Sequence, residues 1–555
     1  MNVTLKPSLE IVGVNTRYDW DYPSERVRQK SDKFKSVWYI ALPLSSAHRG
    51  SHSGGGALLE GVEGQERYLN EGTVYPHCSL VELVTYHQAC FPDLPWKYID
   101  VTHQGVEEVR SMIRNDPPDI VAFSVYTATY IWSLILAAEI KTVNPNAVII
   151  FGNDHATLLR NEILLGEYGR HLVDFIGLSN NGPFTMMGLL HVLHGQLDLA
   201  RVPSVAYRKN GRVISQEAPT YPLNLRMLPD YRLIKGYLEK HYDHAFKTWY
   251  SNHYELKRMV TLPLDGGCQW GKNPKRRCKH CSIQGLTPKM ADMDTIISTL
   301  EITVGDLQSN VYAAGDSTLG FSENQWKGEF SYLNELAQRC ANSEVLSKQR
   351  FMLTYGLVAE FLKSAELCKG FVRTWNVGLE AFNPKLLKQD SKGINRGIEL
   401  IYEALELAKK LDYKLYISGI LGLPGTTLDA MKEEVDNWLA LTETYQENIT
   451  TVSVALPAVI PGSRMYWESY NHIPEVKKLH GEIISSRRLS ELYIKHNSEV
   501  EIEDVEAAIA ELGQGVLEIA NRGGNPVKFG GYMMGGVDDA ETKEKRLLNS
   551  IMAGL

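Results

Sequence analysis

Residues 264–285, LDGGCQWGKNPKRRCKHCSIQG, carry three of the seven cysteines in the chain. Cys268, Cys278 and Cys281 form a C-x9-C-x2-C array directly after a β-branched run at 258–264. Thiolates are soft donors that suit iron–sulfur clusters or zinc. Two residues between Cys278 and Cys281 let both sulfurs face one metal centre, and the longer loop brings in Cys268. Three thiolates are one short of a closed tetrahedral site. A four-iron cluster on three cysteines leaves one iron open to a ligand; the alternative is a Cys3His zinc site, with His280 or a distant histidine as fourth ligand. Lys272, Lys275, Arg276, Arg277 and Lys279 make the loop basic. That charge suits an anionic substrate or acidic reductant, and equally a solvated loop.

Outward from this loop the pattern alternates. Strand-like runs at 258–264, 310–314, 350–355, 373–379, 413–420 and 451–456 are separated by helical periods, most clearly at 397–411 with Ile398, Ile401, Leu405 and Ala408 on one stripe. Six β/α units over 256–470 predict a (β/α)6 partial TIM barrel, whose chemistry gathers at the strand C-termini. Residues 1–200 alternate in the same way, with strands expected at 36–44, 96–102, 119–125, 148–152 and 175–178. This predicts a Rossmann-like α/β domain with a parallel sheet. Residues 201–255 read as a linker, with VAYRKNGRVI forming a hairpin at Asn210-Gly211. Residues 471–555 read as a mostly helical C-terminal region punctuated by glycine pairs.

Composition excludes several classes. Net charge is -8 over 555 residues, which argues against a general nucleic-acid partner. The longest apolar stretch, near 130–138, is too short for a membrane span, and the N-terminus lacks a signal pattern. The odd count of 7 cysteines is no disulfide framework and points to a reducing, cytoplasmic setting.

The cysteine array, with aromatic His280 before its third cysteine, resembles that of the radical S-adenosylmethionine enzymes, whose usual spacing is C-x3-C-x2-C. Four further segments resemble that family in order. YAAGD at 312–316 resembles its Gly-Gly-Glu segment, VGLE at 377–380 its G-(I/L)-E, ISGILGLPG at 417–425 its fifth-strand segment, and PAVIPGS at 457–463 the turn after its sixth strand. The resemblance implies that Cys268, Cys278 and Cys281 hold a [4Fe–4S] cluster, and that Gly315, Asp316, Glu380, Ser418 and Leu423 contact S-adenosylmethionine.

Residues 36–230 resemble the cobalamin-binding domain joined to many of these enzymes, through PPDIVAFSVYTAT at 117–129, NPNAVIIFGNDHAT at 144–157 and VDFIGLSNNGP at 173–183. The resemblance assigns cobalamin to Ser124, Tyr126, Thr127, Gly152, Asn153, Gly177 and Ser179. The D-x-H-x-x-G signature that supplies a lower histidine ligand is missing; Asp100-Val-Thr-His103-Gln-Gly105 has different spacing. The activity implied is methyl transfer to an unactivated carbon of a small-molecule or natural-product intermediate, by way of a 5′-deoxyadenosyl radical and methylcobalamin. The partners implied are that substrate and an electron donor such as flavodoxin or ferredoxin. Exclusion of water and oxygen further implies that the cobalamin face packs on the barrel mouth. Two alternatives stay open at this stage: a cobalamin-dependent rearrangement or cyclisation without methyl transfer, and a zinc-stabilised binding or scaffold protein.

Overall fold

A computed structural model describes residues 34–42, 75–178, 181–217, 227–244, 246, 254–266, 278–280, 289–314, 331–390, 397–480, 486–523, 527–532 and 537–555. Two sheets of seven strands dominate it. In the first, β1 (Val37–Ala41), β2 (Trp96–Asp100), β3 (Ile120–Ser124), β4 (Val148–Gly152) and β5 (Phe175–Gly177) run parallel in the order β2-β1-β3-β4-β5. β1 and β3 are buried at every position, as expected of strands covered on both faces. The order reverses between β1 and β3, so the crevice beyond their carboxyl ends is the switch point where sheets of this kind take ligands.

The hairpin β6 (Val205–Lys209) and β7 (Arg212–Gln216) extends this sheet antiparallel to β5. Its turn residues Asn210 and Gly211 have φ of 52° and 73°. Two positive φ values in succession are what a type I′ turn requires, and Asn-Gly meets that at least cost.

The second sheet is entirely parallel. Its order runs from β8 (Arg258–Pro263) through β11 (Ser309–Ala314), β12 (Met352–Leu357), β13 (Val372–Glu380) and β14 (Lys414–Ile420) to β15 (Ile449–Ala455). These are the six strands expected from the alternating pattern. A seventh, β16 (Lys528–Tyr532), comes from the glycine-rich tail and pairs parallel with β15. Outward residues such as Trp375, Val377, Leu415, Ile417, Val452 and Val454 are buried in one core with the flanking helices. That core also holds residues of the first sheet, including Val37, Tyr39 and Ile120, so the two sheets share a hydrophobic interior.

After β16 the chain returns to the first sheet. The helix Val537–Met552 packs on the helix Tyr130–Val143, with Leu548 fully buried in the core between that helix and the first sheet. Tyr168 Oη donates to Asn549 Oδ1 at 2.8 Å beside it. Among the described residues no helix is long and apolar enough to cross a membrane.

Candidate active site

The carboxyl end of β3 delivers Ser124 and, two residues on, Tyr126. From the end of β4, Asn153 Nδ2 donates to Ser124 Oγ at 3.0 Å. Asn153 and Ser124 both hydrogen-bond Tyr126, whose phenol is pushed up to about 12 by burial and so stays protonated. Asn153 holds φ at 77° and ψ at -178°, a strained combination otherwise nearly confined to glycine. Its side chain also accepts from Asp154 N, capping the short helix Asp154–Leu158. Thr127 Oγ1 sits 3.0 Å from His155 Nδ1, and the His155 ring lies on Tyr130 at 4.5 Å. Ser124, Tyr126 and Asn153 thus form one polar cluster at the switch point, with Thr127 and His155 as a second pair next to it.

At Gly152 an added Cβ would meet nothing nearer than the Phe123 carbonyl at 3.9 Å; at Gly177 the nearest atom is Thr185 Cγ2 at 3.7 Å. A Cβ would therefore make only ordinary van der Waals contact at either strand end. Hydroxyls, an amide and open backbone suit the amide-rich periphery of a corrinoid. Ser179 lies outside the described residues.

In the second sheet, half-exposed Tyr416 and Ser418 alternate with fully buried Leu415 and Ile417. The inward positions therefore line an accessible lumen, while the outward ones fill the core. Asn376, between buried Trp375 and Val377, faces the same lumen. Tyr312 hydrogen-bonds Asn376, and Ser453 hydrogen-bonds Tyr416. Burial raises both phenols, Tyr312 to about 12. Asn376 Oδ1 and Thr261 Oγ1 are buried without a protein partner, so the lumen presents hydrogen-bonding atoms that a ligand would satisfy.

Glu380 ends β13 with φ at 66°, next to a register shift between Gly378 and Glu380. Gly419, its partner on β14, has no room for a side chain. A Cβ there would overlap Trp438 Cζ2 and lie 3.0 Å from the Glu380 carbonyl oxygen. One turn before Trp438 on the same helix, Leu428–Tyr445, the Glu434 carboxylate accepts from Phe382 N at 2.8 Å and Asn383 N at 2.6 Å. Glu434 and Trp438 together fix the backbone that carries Glu380. Sequence reasoning passed over both, since a helical stripe marks them as buried without naming what they hold.

The next turn contains Gly422 and Gly425 at φ 83° and 81°. Leu423 is buried in the helical cluster beyond the barrel, and its carbonyl accepts from Thr426 N and Oγ1 at 3.0 and 2.6 Å. Ser418 and Glu380 are thus neighbours at the strand ends, whereas the Leu423 side chain turns away into apolar packing.

Of the three cysteines, Cys278 is described and half-buried; Cys268 and Cys281, like Gly315 and Asp316, lie outside the described residues. β9 (Asp265–Gly266) and β10 (Lys289–Met290) pair antiparallel and close the base of the cysteine loop. The loop is also docked on the helix Arg464–His472: Met465 N donates to the Lys279 carbonyl at 2.8 Å, and Lys279 Nζ lies 3.3 Å from Glu468 Oε2. Among the described residues no three His, Cys, Asp or Glu side chains are placed to hold a metal ion.

The same helix meets the first sheet. Tyr466 Oη is 2.7 Å from His480 Nδ1, and His480 Nε2 is 3.0 Å from Glu162 Oε1. Gly462, at φ 90° in the turn after β15, abuts Leu158 so closely that a Cβ would overlap it. Leu158 ends the helix that follows β4, so the carboxyl edge of the first sheet packs on the barrel mouth. A second bridge is made of rings. The Tyr75 ring lies tilted against lumen residue Tyr312 at 5.6 Å, and His77, two residues later, lies tilted against Tyr126 at 5.6 Å. Two ring contacts therefore join the polar cluster of the first sheet to the lumen of the second.

No family model matches the chain, and no curated protein matches it. Solved structures do. The radical S-adenosylmethionine methyltransferase TsrM from Kitasatospora setae, with tryptophan substrate and an S-adenosylmethionine analogue bound, superposes at TM-score 0.56 with 14% identity, over 79% of this chain and 76% of that one. The cobalamin-dependent S-adenosylmethionine radical enzyme OxsB, with aqua-cobalamin bound, matches at TM-score 0.56 and 12% identity over 94% of this chain and 80% of its own. With aqua-cobalamin and S-adenosylmethionine bound it matches at 0.56 and 15%, over 86% and 66%. The chain has the fold of the cobalamin-dependent radical S-adenosylmethionine enzymes.

Proposed function

We propose that the chain is a cobalamin-dependent radical S-adenosylmethionine enzyme that methylates an unactivated carbon of a small molecule. One observation carries this reading above the others. The polar cluster Ser124–Tyr126–Asn153 and the barrel lumen are joined through His77 and Tyr75, so ligands held at the two sites would share one enclosed space. Cys268, Cys278 and Cys281 would hold a [4Fe–4S] cluster; Gly315, Asp316, Glu380, Ser418 and the backbone at Leu423 would hold S-adenosylmethionine. Ser124, Tyr126, Thr127, Gly152, Asn153, Gly177 and Ser179 would hold cobalamin. When bound, these groups supply an adenosyl radical for hydrogen abstraction and a methyl group for transfer.

The chain's own residues orient and exclude. The phenols of Tyr126 and Tyr312, both raised to about 12, stay protonated at neutral pH and act as hydrogen-bond groups. The Glu380 carboxylate, on backbone set by Glu434 and Trp438, would accept hydrogen bonds from ribose hydroxyls. The Gly462–Leu158 contact and the Tyr466–His480–Glu162 chain join the two sheets at this edge and would help to keep water from the site. A low-potential donor such as flavodoxin or ferredoxin would supply electrons in the reducing cytoplasm.

Anaerobic purification followed by iron, sulfide and cobalt analysis tests the cofactors. Dithionite assays of wild type beside Cys278→Ala test the chemistry. Wild type is expected to form 5′-deoxyadenosine together with S-adenosylhomocysteine, and the variant neither. Equal 5′-deoxyadenosine from the two, or zinc as the sole metal, would overturn the proposal. Release of 5′-deoxyadenosine without S-adenosylhomocysteine would overturn methyl transfer alone.

A further inference from the structure

The seventh strand brings a lysine to the lumen. In β16, Phe529 pairs with Val452, and both belong to the outer core. Lys528 pairs with Thr451, and partners in a parallel ladder point to the same face. Thr451 in turn pairs with Tyr416, Tyr416 with Asn376, and Asn376 with Tyr355. One row of inward positions therefore reads Tyr355, Asn376, Tyr416, Thr451, Lys528. Four of these are neutral hydrogen-bonding side chains; the fifth is a cation at the end of the row.

We propose that Lys528 receives the carboxylate of the small-molecule substrate held in the barrel lumen. This rests on the lumen being the reaction chamber, and it names the class of molecule that enters it: a carboxylic acid that also carries a hydrogen-bond donor. The donor's partner is Asn376 Oδ1, which is buried with no protein partner. Three strand spacings separate Asn376 from Lys528, about 14 Å measured along the sheet. A molecule that joins the two groups therefore carries its carboxylate and its donor toward opposite ends. An amino acid or similar acid presents both groups.

Burial lowers the Lys528 ammonium to about 8. A desolvated ammonium gains more from an arriving oxyanion than a solvated one does, because water no longer screens the pair. A monoanion suits a single lysine; a phosphate ester is more often met by arginine, whose fork matches two phosphate oxygens.

Competitive acetylation with acetic anhydride, read lysine by lysine by mass spectrometry on the folded full chain, tests this without turnover. The probes are L-amino acids, their carboxamides and orthophosphate. Lys528 is expected to acetylate with a midpoint near 8. At least one amino acid should suppress the labelling with about tenfold preference over its carboxamide, equivalent to ~1.4 kcal/mol. In thermal-shift titrations the Lys528→Met variant should lose that preference and Lys528→Arg should keep it. An unreactive Lys528 in the folded wild type, equal protection by acid and amide, protection by no acid of the set, or stronger protection by orthophosphate would each overturn the proposal. Wild-type labelling does not depend on how well either variant folds. Failure here would leave iron, sulfide and cobalt contents unchanged, so it is distinguishable from failure of the cofactor assignment.

Discussion

One methyl group at Gly419 tests the packing that sets Glu380. A Cβ at this position overlaps Trp438 Cζ2, stands 3.2 Å from Cε2 of the same ring, and reaches 3.0 Å from the Glu380 carbonyl oxygen. None of these neighbours yields easily. Trp438 is fully buried, packed edge-on against Phe382 at 5.2 Å, and Glu380 lies in a strand whose following residues are clamped by Glu434. Overpacking of this kind costs about 1–3 kcal/mol. Loss of glycine's freedom in the unfolded chain offsets about 0.4–1 kcal/mol of that. The net expectation for Gly419→Ala is a loss of about 1–2 kcal/mol, which for cooperative unfolding of a chain of 555 residues lowers Tm by only about 1–2 °C.

The assay is a double-mutant cycle in urea with Trp438→Phe, which removes the Cζ2 atom. Each single variant is destabilised, the second through lost packing. The double variant should be less destabilised than the sum by about 1 kcal/mol, because the smaller ring makes room for the new methyl. Additivity to within about 0.5 kcal/mol would refute the reasoning, since the clash would then lie elsewhere. A second measurement reaches the site itself. If Glu380 contacts S-adenosylmethionine, Gly419→Ala weakens its binding in equilibrium dialysis and Gly419→Ala/Trp438→Phe restores part of it.

Two other expectations follow from burial. His87 bonds Tyr39 Oη at 2.7 Å and the Leu94 carbonyl at 2.9 Å, and burial lowers its pKa from 6.5 to about 4. The neutral imidazole therefore contributes stability above pH 6.5 that is lost as pH falls toward 4, about 3 kcal/mol in all. Urea titrations between those limits should show a shallower pH dependence in His87→Gln than in wild type; parallel curves would refute it. Leu548→Ala should cost about 2–5 kcal/mol and raise hydrogen exchange in the helix Tyr130–Val143; unchanged exchange there would show that the terminal helix does not hold it.

The strands that carry the candidate sites were legible because each is a short run of β-branched and aromatic residues bounded by turn chemistry, as in DIVAFSV at 119–125 and KLYISGI at 414–420. The cluster of Ser124, Tyr126 and Asn153 was legible for the same reason: a hydroxyl or amide just past a parallel strand stands at the ligand edge. β16 was not. Lys-Phe-Gly-Gly-Tyr has two glycines in five residues and little preference of its own for a strand; only its pairing with β15 makes it one. Nor does the sequence show that residues 537–552 lie on residues 130–143, since amphipathic periodicity reveals an apolar face and not its partner. Glu434 was obscure on similar grounds, being an acidic residue on a helix whose acceptors' partners, Phe382 N and Asn383 N, lie some fifty positions earlier.

The tail accounts for how two sheets separated in sequence act as one body. β16 adds to the open edge of the barrel, and the helix after it fills the core of the first sheet with Leu548. The last described residues thus touch both halves. At the opposite contact, the helix Arg464–His472 binds the cysteine loop through Met465 N and the Lys279 carbonyl while Tyr466 reaches His480 and Glu162. Relative motion of the sheets would have to break one hydrogen-bonded chain and one buried apolar contact at the same time. A site assembled from the strand ends of both sheets needs that restraint, because a shift of about 1 Å in positioned groups is enough to cost a large part of a rate. The terminal helix and the Lys528 strand are thus part of the restraint that the site needs.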